Sequence, residues 1–206
     1  MRTVPFVEDS DVLPAANEVV RVRAASGVVL IPTETFYGLG ANPTDPEAVA
    51  RIFDAKGRPP EMAIPVLASD WQQIESMVHV ADRYRVQLSR IWPAALTVVL
   101  PARQYAVAGR DSTLAVRIPG HAQLRALLYR VGPLTGTSAN RHGQPPETSA
   151  EAALTSLLVP PDLVLDGGPT GGGSPSTLVD LTGEEPRILR RGAIPWEDDF
   201  PWDDPL

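Results

Sequence analysis

The chain lacks cysteine altogether and has only three histidines among its 206 residues. Without cysteine there can be no disulfide, no thiol nucleophile and no zinc–thiolate site. His79, His121 and His142 lie too far apart in the sequence to show the spacing of a metal site. No apolar run is long enough to span a bilayer, and the acidic segment 1–11 lacks the apolar core of a signal peptide. We therefore expect a soluble, cytoplasmic protein with no membrane segment and no metal held by the protein itself.

Lysine is almost absent as well, because arginine supplies nearly all the positive charge and Lys56 is the only lysine. Lys56 stands two residues before Arg58, so the two kinds of cation occur side by side. A lysine is a compact and mobile point charge, whereas an arginine presents a planar fork of donors. The pair therefore predicts a site for a polyanion such as a nucleoside triphosphate.

The residues before Lys56 predict a helix over 45–56, with Asp45 as its N-cap and Gly57 as its stop. Apolar residues recur every three or four positions on one face of this helix, and Lys56 continues that face. A lysine on an inward face needs either an anion to meet or a route to water. The alternative is therefore a lysine that only complements the helix dipole and extends into solvent.

The charge balance of the chain is acidic, with a formal net charge of −7 and a sequence pI of about 4.9. Nonspecific binding of nucleic acid normally needs a basic face, because the phosphate backbone dominates the affinity. Any basic region of this chain must be local. A local group of cations favours a small anionic ligand over a nucleic-acid backbone.

Short helices and strands are mixed along the chain, and hairpin-like pairs of strands occur near its end. We predict helices over 13–25, 45–56, 69–77, 80–91, 123–131 and 148–158, and strands over 28–31, 64–67, 96–100, 114–118, 134–137, 163–165, 177–181 and 187–189. The third and sixth helices are expected to begin with capping boxes at Ser69 and Thr148. This order favours the α/β class, with α+β character, in which helices cover a mixed sheet. We expect a single domain over 1–195 and an acidic C-terminal tail over 196–206 that lies on the surface or is disordered.

The segment Pro32–Gly40 directly follows a predicted buried strand and is rich in polar groups. Loops at the carboxyl ends of strands are where open α/β folds bind ligands. The polar side chains here are those of Thr33, Glu34, Thr35 and Tyr37. Hydroxyl groups and a carboxylate at this density predict contact with a small polar molecule, and an ordinary polar turn is the alternative.

Two further strands carry groups that can bind anions. Arg117 interrupts an apolar strand, so it should face away from Val116 and Ile118, where it can clamp a carboxylate. A solvent-facing strand arginine is the alternative. The segment Gly136–Asn140 brings small hydroxyl and amide groups to a strand end, where they can hold phosphate oxygens. Ordinary turns carry the same residue types, so this signal is weak by itself.

The glycine-rich segment 167–177 resembles a phosphate-binding loop only superficially, because it lacks the Lys-Ser/Thr ending of a Walker A loop. We interpret it as a mobile connection that can act as a lid. The sequence contains no catalytic triad and no paired carboxylates; cations and small hydroxyl residues recur instead. That inventory suits phosphoryl or nucleotidyl transfer, which depends on positioning and charge stabilisation.

Six of these motifs occur in one order along most of the chain. They are Pro32–Gly40, Lys56–Pro59, Thr113–Arg117, Ser138–Asn140, Ser176–Thr177 and Leu189–Arg190. Together they resemble the YrdC/Sua5 family of threonylcarbamoyl-AMP synthases, in its single-domain form, over roughly residues 10–195. The resemblance implies a YrdC-like twisted mixed sheet with a concave ligand face. It also implies synthesis of threonylcarbamoyl-AMP and pyrophosphate from L-threonine, bicarbonate and ATP, for the t6A modification of tRNA at position 37.

The resemblance further implies roles for single residues. Lys56 and Arg58 would be catalytic and would face the triphosphate. The ATP site would consist of Lys56, Arg58, Thr113, Ser138, Asn140 and Arg190. The threonine site would consist of Thr33, Thr35, Tyr37, Arg117 and Ser176. Mg²⁺ would enter with ATP, without ligands from the protein. Two places depart from the usual family pattern, namely Met62, where many relatives have a polar residue, and the turn at Ala94–Ala95.

The expected partners are the three small substrates, together with tRNA and the machinery that transfers the t6A group, and no membrane. Two other functions are open. One is a double-stranded RNA or tRNA-binding module of the same fold, which the acidic balance argues against. The other is a YrdC-like paralogue with different carbamoyl or nucleotide chemistry, which the pair Lys56 and Arg58 and the segment Ser138–Asn140 argue against.

Overall fold

The computed structural model describes residues 1–60, 62–103 and 108–196, and within them it has a mixed α/β fold. The helices are α1 (Val12–Ala24), α2 (Pro46–Lys56), α3 (Trp71–Met77), α4 (Asp82–Ile91), α5 (Ala122–Val131) and α6 (Ala150–Ser156). The strands are β1 (Arg2–Pro5), β2 (Val29–Pro32), β3 (Tyr37–Gly40), β4 (Val66–Leu67), β5 (Leu96–Pro101), β6 (Thr113–Arg117), β7 (Leu134–Thr135), β8 (Thr137–Ser138), β9 (Leu163–Asp166), β10 (Thr177–Asp180) and β11 (Arg187–Arg190). The predicted fold class is confirmed.

The strands form two mixed sheets, where the sequence had suggested one. The first has the order β1-β9-β2-β3-β8, and the second has the order β11-β10-β5-β6-β4-β7. Each contains both parallel and antiparallel pairs; β2, for example, runs parallel to β9 and antiparallel to β3. Strand β2 is buried along its whole length, as its apolar run predicted.

The chain passes from one sheet to the other at Gly136. Strand β7 before it pairs in the second sheet, and strand β8 after it pairs in the first. A Cβ atom at Gly136 would come within 2.7 Å of both Cδ atoms of Leu67, so only glycine fits this close approach. The single strand predicted over 134–137 is therefore wrong, because the chain changes sheets in its middle.

Three apolar clusters hold the layers together. Helices α1 and α5 pack on one face of the first sheet, and α2 and α6 pack on its other face. Helices α3 and α4 pack against the second sheet. Because side chains alternate along a strand, the face of β6 that meets α3 and α4 carries Leu114 and Val116, and the other face carries Ala115 and Arg117.

Helix α2 begins and ends as its sequence predicts. The Asp45 carboxylate accepts hydrogen bonds from two N–H groups of the first turn, at 3.0 and 3.2 Å. Gly57 ends the helix in the left-handed conformation, with φ at 57°. The two predicted capping boxes are wrong, because Asp70 caps α3 and Ser149 caps α6, each one residue later than expected. Asp and Ser are as good N-caps as the residues predicted, and spacing alone does not choose between neighbours.

Two strands went unpredicted, β1 and β3, the latter because its glycines are typical of a loop. The predicted tail begins at Trp196, which is instead buried in the core of the second sheet at 5% exposure. The rest of the predicted tail, 197–206, lies outside the described residues. Among the helices that the structure describes, none has both the length and the apolar character to cross a membrane.

Candidate functional site

Lys56 turns inward at the end of α2, and its side chain is 3% exposed. The Nζ atom donates hydrogen bonds to the main-chain oxygens of Ser138 and Asn140, the latter at 2.8 Å. It also lies 3.5 Å from the Asn140 side-chain oxygen. The alternative of a lysine that extends into solvent is therefore wrong.

Arg58 reaches the same strand from the turn that follows α2. Its Nη1 donates to the Thr137 hydroxyl at 3.2 Å, and its Nη2 donates to the Ala63 carbonyl at 2.8 Å. Its Nε is buried and has no hydrogen-bond partner among the described residues. The two cations that stand out in the sequence therefore converge on the segment 137–140, which we call the β8 segment.

The electrostatics of this pair favour an incoming anion. Burial, and then the charge of Arg58, lower the pKa of Lys56 to about 8. Burial also lowers the pKa of Arg58 below its usual value. Two neighbouring cations held partly out of water are unfavourable by themselves, and an anion bound between them would relieve both effects.

The β8 segment combines an open hydroxyl with a structural amide. The Ser138 side chain is exposed beside the Lys56 ammonium group. The Asn140 amide nitrogen, in contrast, donates to the carbonyls of Arg141 and Gln144, at 2.9 and 2.6 Å, and so closes the following turn. Ser138 is thus free to contact a ligand, whereas the Asn140 amide is engaged in the fold.

Thr33 and Thr35 lie in the loop that joins β2 to β3. The Thr33 hydroxyl donates to the Phe36 carbonyl at 2.7 Å and accepts from the N–H groups of Thr35 and Phe36, both at 3.2 Å. The hydroxyl oxygens of Thr33 and Thr35 lie 3.1 Å apart. Thr33 therefore shapes the loop, and Thr35 is the better placed of the two for a ligand.

The glycine-rich segment lies against this loop. The Thr35 carbonyl accepts from the Gly172 N–H at 2.7 Å and from the Thr170 hydroxyl at 2.9 Å. Gly172 has a positive φ of 63°, which favours glycine at this contact. The predicted connection is thus anchored to the candidate site, whereas its action as a lid stays a prediction.

Tyr37 is fully buried, and its hydroxyl group forms hydrogen bonds with the glycine-rich segment 167–177. Its hydroxyl donates to the Gly168 carbonyl at 2.7 Å and accepts from the Gly167 N–H at 3.1 Å. Burial raises the pKa of Tyr37 to about 12. Because the hydroxyl already donates one hydrogen bond and accepts another within the fold, this geometry gives no support to the predicted contact between Tyr37 and threonine.

Arg117 is buried at the end of β6, on the face opposite the core, as the strand alternation predicts. Its Nε donates to the Ala94 carbonyl at 3.2 Å, so the turn that departs from the family pattern holds this arginine. Its Nη2 lies 2.6 Å from Oε1 of Glu34. The alternative of a solvent-facing arginine is therefore wrong.

Glu34 also belongs to this site, and the sequence predicted its carboxylate only as one of the polar groups of the loop. Its Oε1 also accepts from the Gly120 N–H at 2.5 Å. Burial by itself would raise the pKa of Glu34, but Arg117 and nearby N–H groups outweigh it and hold the pKa below its usual value. The signal in the sequence was its position between Thr33 and Thr35.

Arg190 and Ser176 join Arg117 from the far end of the chain. The Arg190 guanidinium donates to the Ser176 carbonyl at 2.9 and 3.1 Å and to the Ser176 hydroxyl at 3.0 Å. That hydroxyl lies 3.0 Å from the hydroxyl of Thr97, which sequence reasoning missed. Burial, and then the positive charge of Arg117, lower the pKa of Arg190 below its usual value.

Two further positions that the sequence singled out are Thr113 and Met62. Thr113 stands at the opposite end of β6 from Arg117, about 13 Å away along the strand. Its hydroxyl donates to the Arg110 carbonyl at 2.8 Å. Met62 is 41% exposed, so no buried contact depends on it. Thr113 thus lies away from the Arg117 end of β6, and its contact with ATP stays a prediction.

The two groups are joined through β3. Gly38 of β3 pairs with Ser138 of the β8 segment, and the loop before β3 carries the site residues from Thr33 to Thr35. The Lys56 group thus lies beside strand β3, and the Arg117 group lies at the loop between β2 and β3. Among the described residues, no three His, Cys, Asp or Glu side chains cluster as metal ligands. The arrangement can hold a polyanion beside a carboxylate.

Comparisons with known proteins identify the family of this chain. A family model named Sua5–YciO–YrdC, described as telomere recombination, matches residues 21–192. A Mycobacterium tuberculosis relative is 39% identical over 177 residues, which cover 84% of this chain and 82% of that protein. The Bacillus subtilis threonylcarbamoyl-AMP synthase is 37% identical over 199 residues, which cover 92% of this chain and 58% of that protein. The crystal structure of Pyrococcus abyssi Sua5 complexed with L-threonine has a TM-score of 0.83 and 34% identity, and covers 94% of this chain and 58% of its own.

Proposed function

This chain belongs to the Sua5–YciO–YrdC family, and from that membership we propose that it is a threonylcarbamoyl-AMP synthase, a nucleotidyltransferase that uses L-threonine, bicarbonate and ATP. The observation that carries the proposal is the convergence of Lys56 and Arg58 on the β8 segment, beside a second group formed by Arg117, Arg190 and Ser176. The first group suits a triphosphate and the second suits the carboxylate of an amino acid.

Threonine would bind on the side of Arg117. A buried guanidinium binds a carboxylate well, because the interaction is charge-assisted and little water competes for it. Thr35 and Ser176 supply hydroxyl groups at the same end of the site. The named ligand of the Pyrococcus abyssi structure supports this choice of amino acid.

The triphosphate would bind on the side of Lys56 and Arg58. The carbamate formed from threonine and bicarbonate attacks the α-phosphorus of ATP, and pyrophosphate leaves with the bond electrons. Negative charge therefore grows on the leaving group, where Lys56 and Arg58 would stabilise the transition state more than the ground state. Mg²⁺ would enter as part of the MgATP substrate.

The product would serve the t6A modification of tRNA, so tRNA and the transfer machinery would be downstream partners, and the cytoplasm would be the place of action. A carbamate is labile in water. The glycine-rich segment, which contacts the Thr35 carbonyl, is in the right position to shield it.

The decisive test is pyrophosphate release from MgATP, with threonine and bicarbonate omitted in turn. We expect release only when both are present, together with incorporation of labelled bicarbonate into an adenylated product. Release that ignores threonine would contradict the proposal. A salt-dependent tRNA shift without ATP turnover would instead favour the RNA-binding module, and turnover with another carbamoyl acceptor would favour a paralogue.

The lowered pKa of Lys56, about 8, predicts a pH dependence of nucleotide binding. Below this value the group is an ammonium that attracts phosphate oxygens, and above it the group becomes neutral. From about pH 7.5, where the triphosphate is already fully ionised, to about pH 9.5, we expect the dissociation constant of MgATP to rise about tenfold, measured by calorimetry.

The matched control is Lys56→Arg, because a guanidinium stays charged over the whole range. Its affinity for MgATP at neutral pH can differ from that of the wild type, so the slope with pH is the quantity to compare. An equally steep slope in Lys56→Arg would assign the effect to a different group.

A further inference from the structure

The carboxylate of Glu34 is fixed through one of its two oxygens. Oε1 accepts from the Gly120 N–H at 2.5 Å and lies 2.6 Å from Nη2 of Arg117. Oε2 is buried and makes no hydrogen bond to the part of the chain that the structure describes. A buried carboxylate oxygen without a donor is costly, so this atom is an acceptor in need of a ligand.

Arg117 has a complementary feature at the same place. Its Nη2 is buried and, although it lies close to Oε1, no hydrogen bond is aligned with it among the described residues. The site therefore holds one unsatisfied acceptor of negative charge, Oε2, next to a guanidinium that Glu34 engages only through Oε1. Amino acids match that pair, because their α-ammonium and α-carboxylate groups are bonded to the same carbon atom.

We propose that Glu34 binds the α-ammonium group of the substrate amino acid through Oε2, while Arg117 binds its α-carboxylate. This inference rests on the proposed function and deepens it, because it names the group that positions the nitrogen end of the amino acid when the substrate binds. The ligand class would be free α-amino acids, and carboxylic acids without an α-amino group would be rejected.

The surroundings of Glu34 fit this role. Its pKa lies below the usual value, so it carries a full negative charge at neutral pH. The loop around Glu34 is also tightly packed, because a Cβ atom at Gly120 would come 3.0 Å from Oε1. The carboxylate thus has little freedom to turn away.

The test compares the binding of two ligands by two proteins, the wild type and one variant. Wild type and Glu34→Gln are each titrated by calorimetry with L-threonine and with 3-hydroxybutyrate of matching configuration, which differs by the missing ammonium group. We expect wild type to prefer threonine by about tenfold or more, as for a charge-assisted hydrogen bond, and Glu34→Gln to lose most of that preference. Glu47→Gln, an exposed position in the first turn of α2, is the matched control and should keep it.

The other outcomes overturn the inference in distinct ways. If Glu34→Gln weakens both ligands equally, Glu34 only orients Arg117. If it tightens both, Glu34 competes with the ligand carboxylate for Arg117. If the variant does not fold, the wild type still decides, since equal affinity for the two ligands would exclude an ammonium contact. Failure of wild type to bind threonine at all would instead contradict the proposed function.

Discussion

Replacing Lys56 with alanine should lower the rate of threonine-dependent pyrophosphate release by about 100-fold, the usual effect of removing one preorganised donor from a developing charge. The ammonium is held by two main-chain carbonyls of the β8 segment, so it meets the triphosphate in a fixed position. Fixed charges need no rearrangement when the leaving group becomes negative. The measurement is steady-state release at saturating MgATP, so that the loss is read in kcat.

The same variant also leaves the carbonyls of Ser138 and Asn140 without their donor, which costs stability by about 1–3 kcal/mol. Arg58→Ala separates the two effects, because it removes the other cation and leaves these carbonyls paired. We expect it to reduce kcat by tenfold or more. Arg21→Ala, at an exposed ion pair on α1, is the control and should keep the wild-type rate. Wild-type rates in both Lys56→Ala and Arg58→Ala would refute the assignment of the triphosphate site.

Gly192→Ala should destabilise the protein by about 3 kcal/mol, at the upper end of the range for overpacking. A Cβ atom at Gly192 would lie 2.5 Å from both Ser176 C and Thr177 N, and closer still to the Pro175 carbonyl. These are main-chain atoms, which cannot rotate away as a side chain can. The measurement is equilibrium unfolding in denaturant, where the midpoint should fall without a change of slope.

The clash in Gly192→Ala should also reach the candidate site. Ser176 holds Arg190 through its carbonyl and hydroxyl groups, so a shift of Ser176 moves a cation beside Arg117. We expect weaker threonine binding as well as lower stability. Gly183→Ala is the control, because its Cβ would meet only one main-chain oxygen, at 3.6 Å, which is an ordinary contact. Equal stabilities of the two variants would show that the main chain accommodates the methyl group.

Local patterns predicted much of the framework correctly. The N-cap Asp45 and the stop Gly57 gave helix α2, since capping depends on residues a few positions apart. Alternation along β6 gave the face of Arg117 for the same reason. The glycines of β3 misled the same reasoning, because glycine is depleted in strands, and the pairing of β3 with β8 joins residues about 100 positions apart.

The candidate site was predicted less evenly. Cations were easy to identify, because a single lysine and an arginine within an apolar strand are conspicuous. Thr97 was missed as a site residue and Glu34 was given no specific role, since acidic and hydroxyl side chains are common in turns and strands. Tyr37 was predicted to contact threonine, yet its hydroxyl meets Gly167 and Gly168, a contact that spans 130 residues of sequence.

The sequence by itself determined the fold class and the order of motifs that resembles one family, because periodicity, capping and motif order are properties of the linear chain. Only the tertiary structure decided that Lys56 turns inward, that the chain changes sheets at Gly136 and that Arg117 meets Glu34. Those contacts join residues many tens of positions apart. They depend on which strands pair and how the sheets pack, which no local pattern of residues specifies.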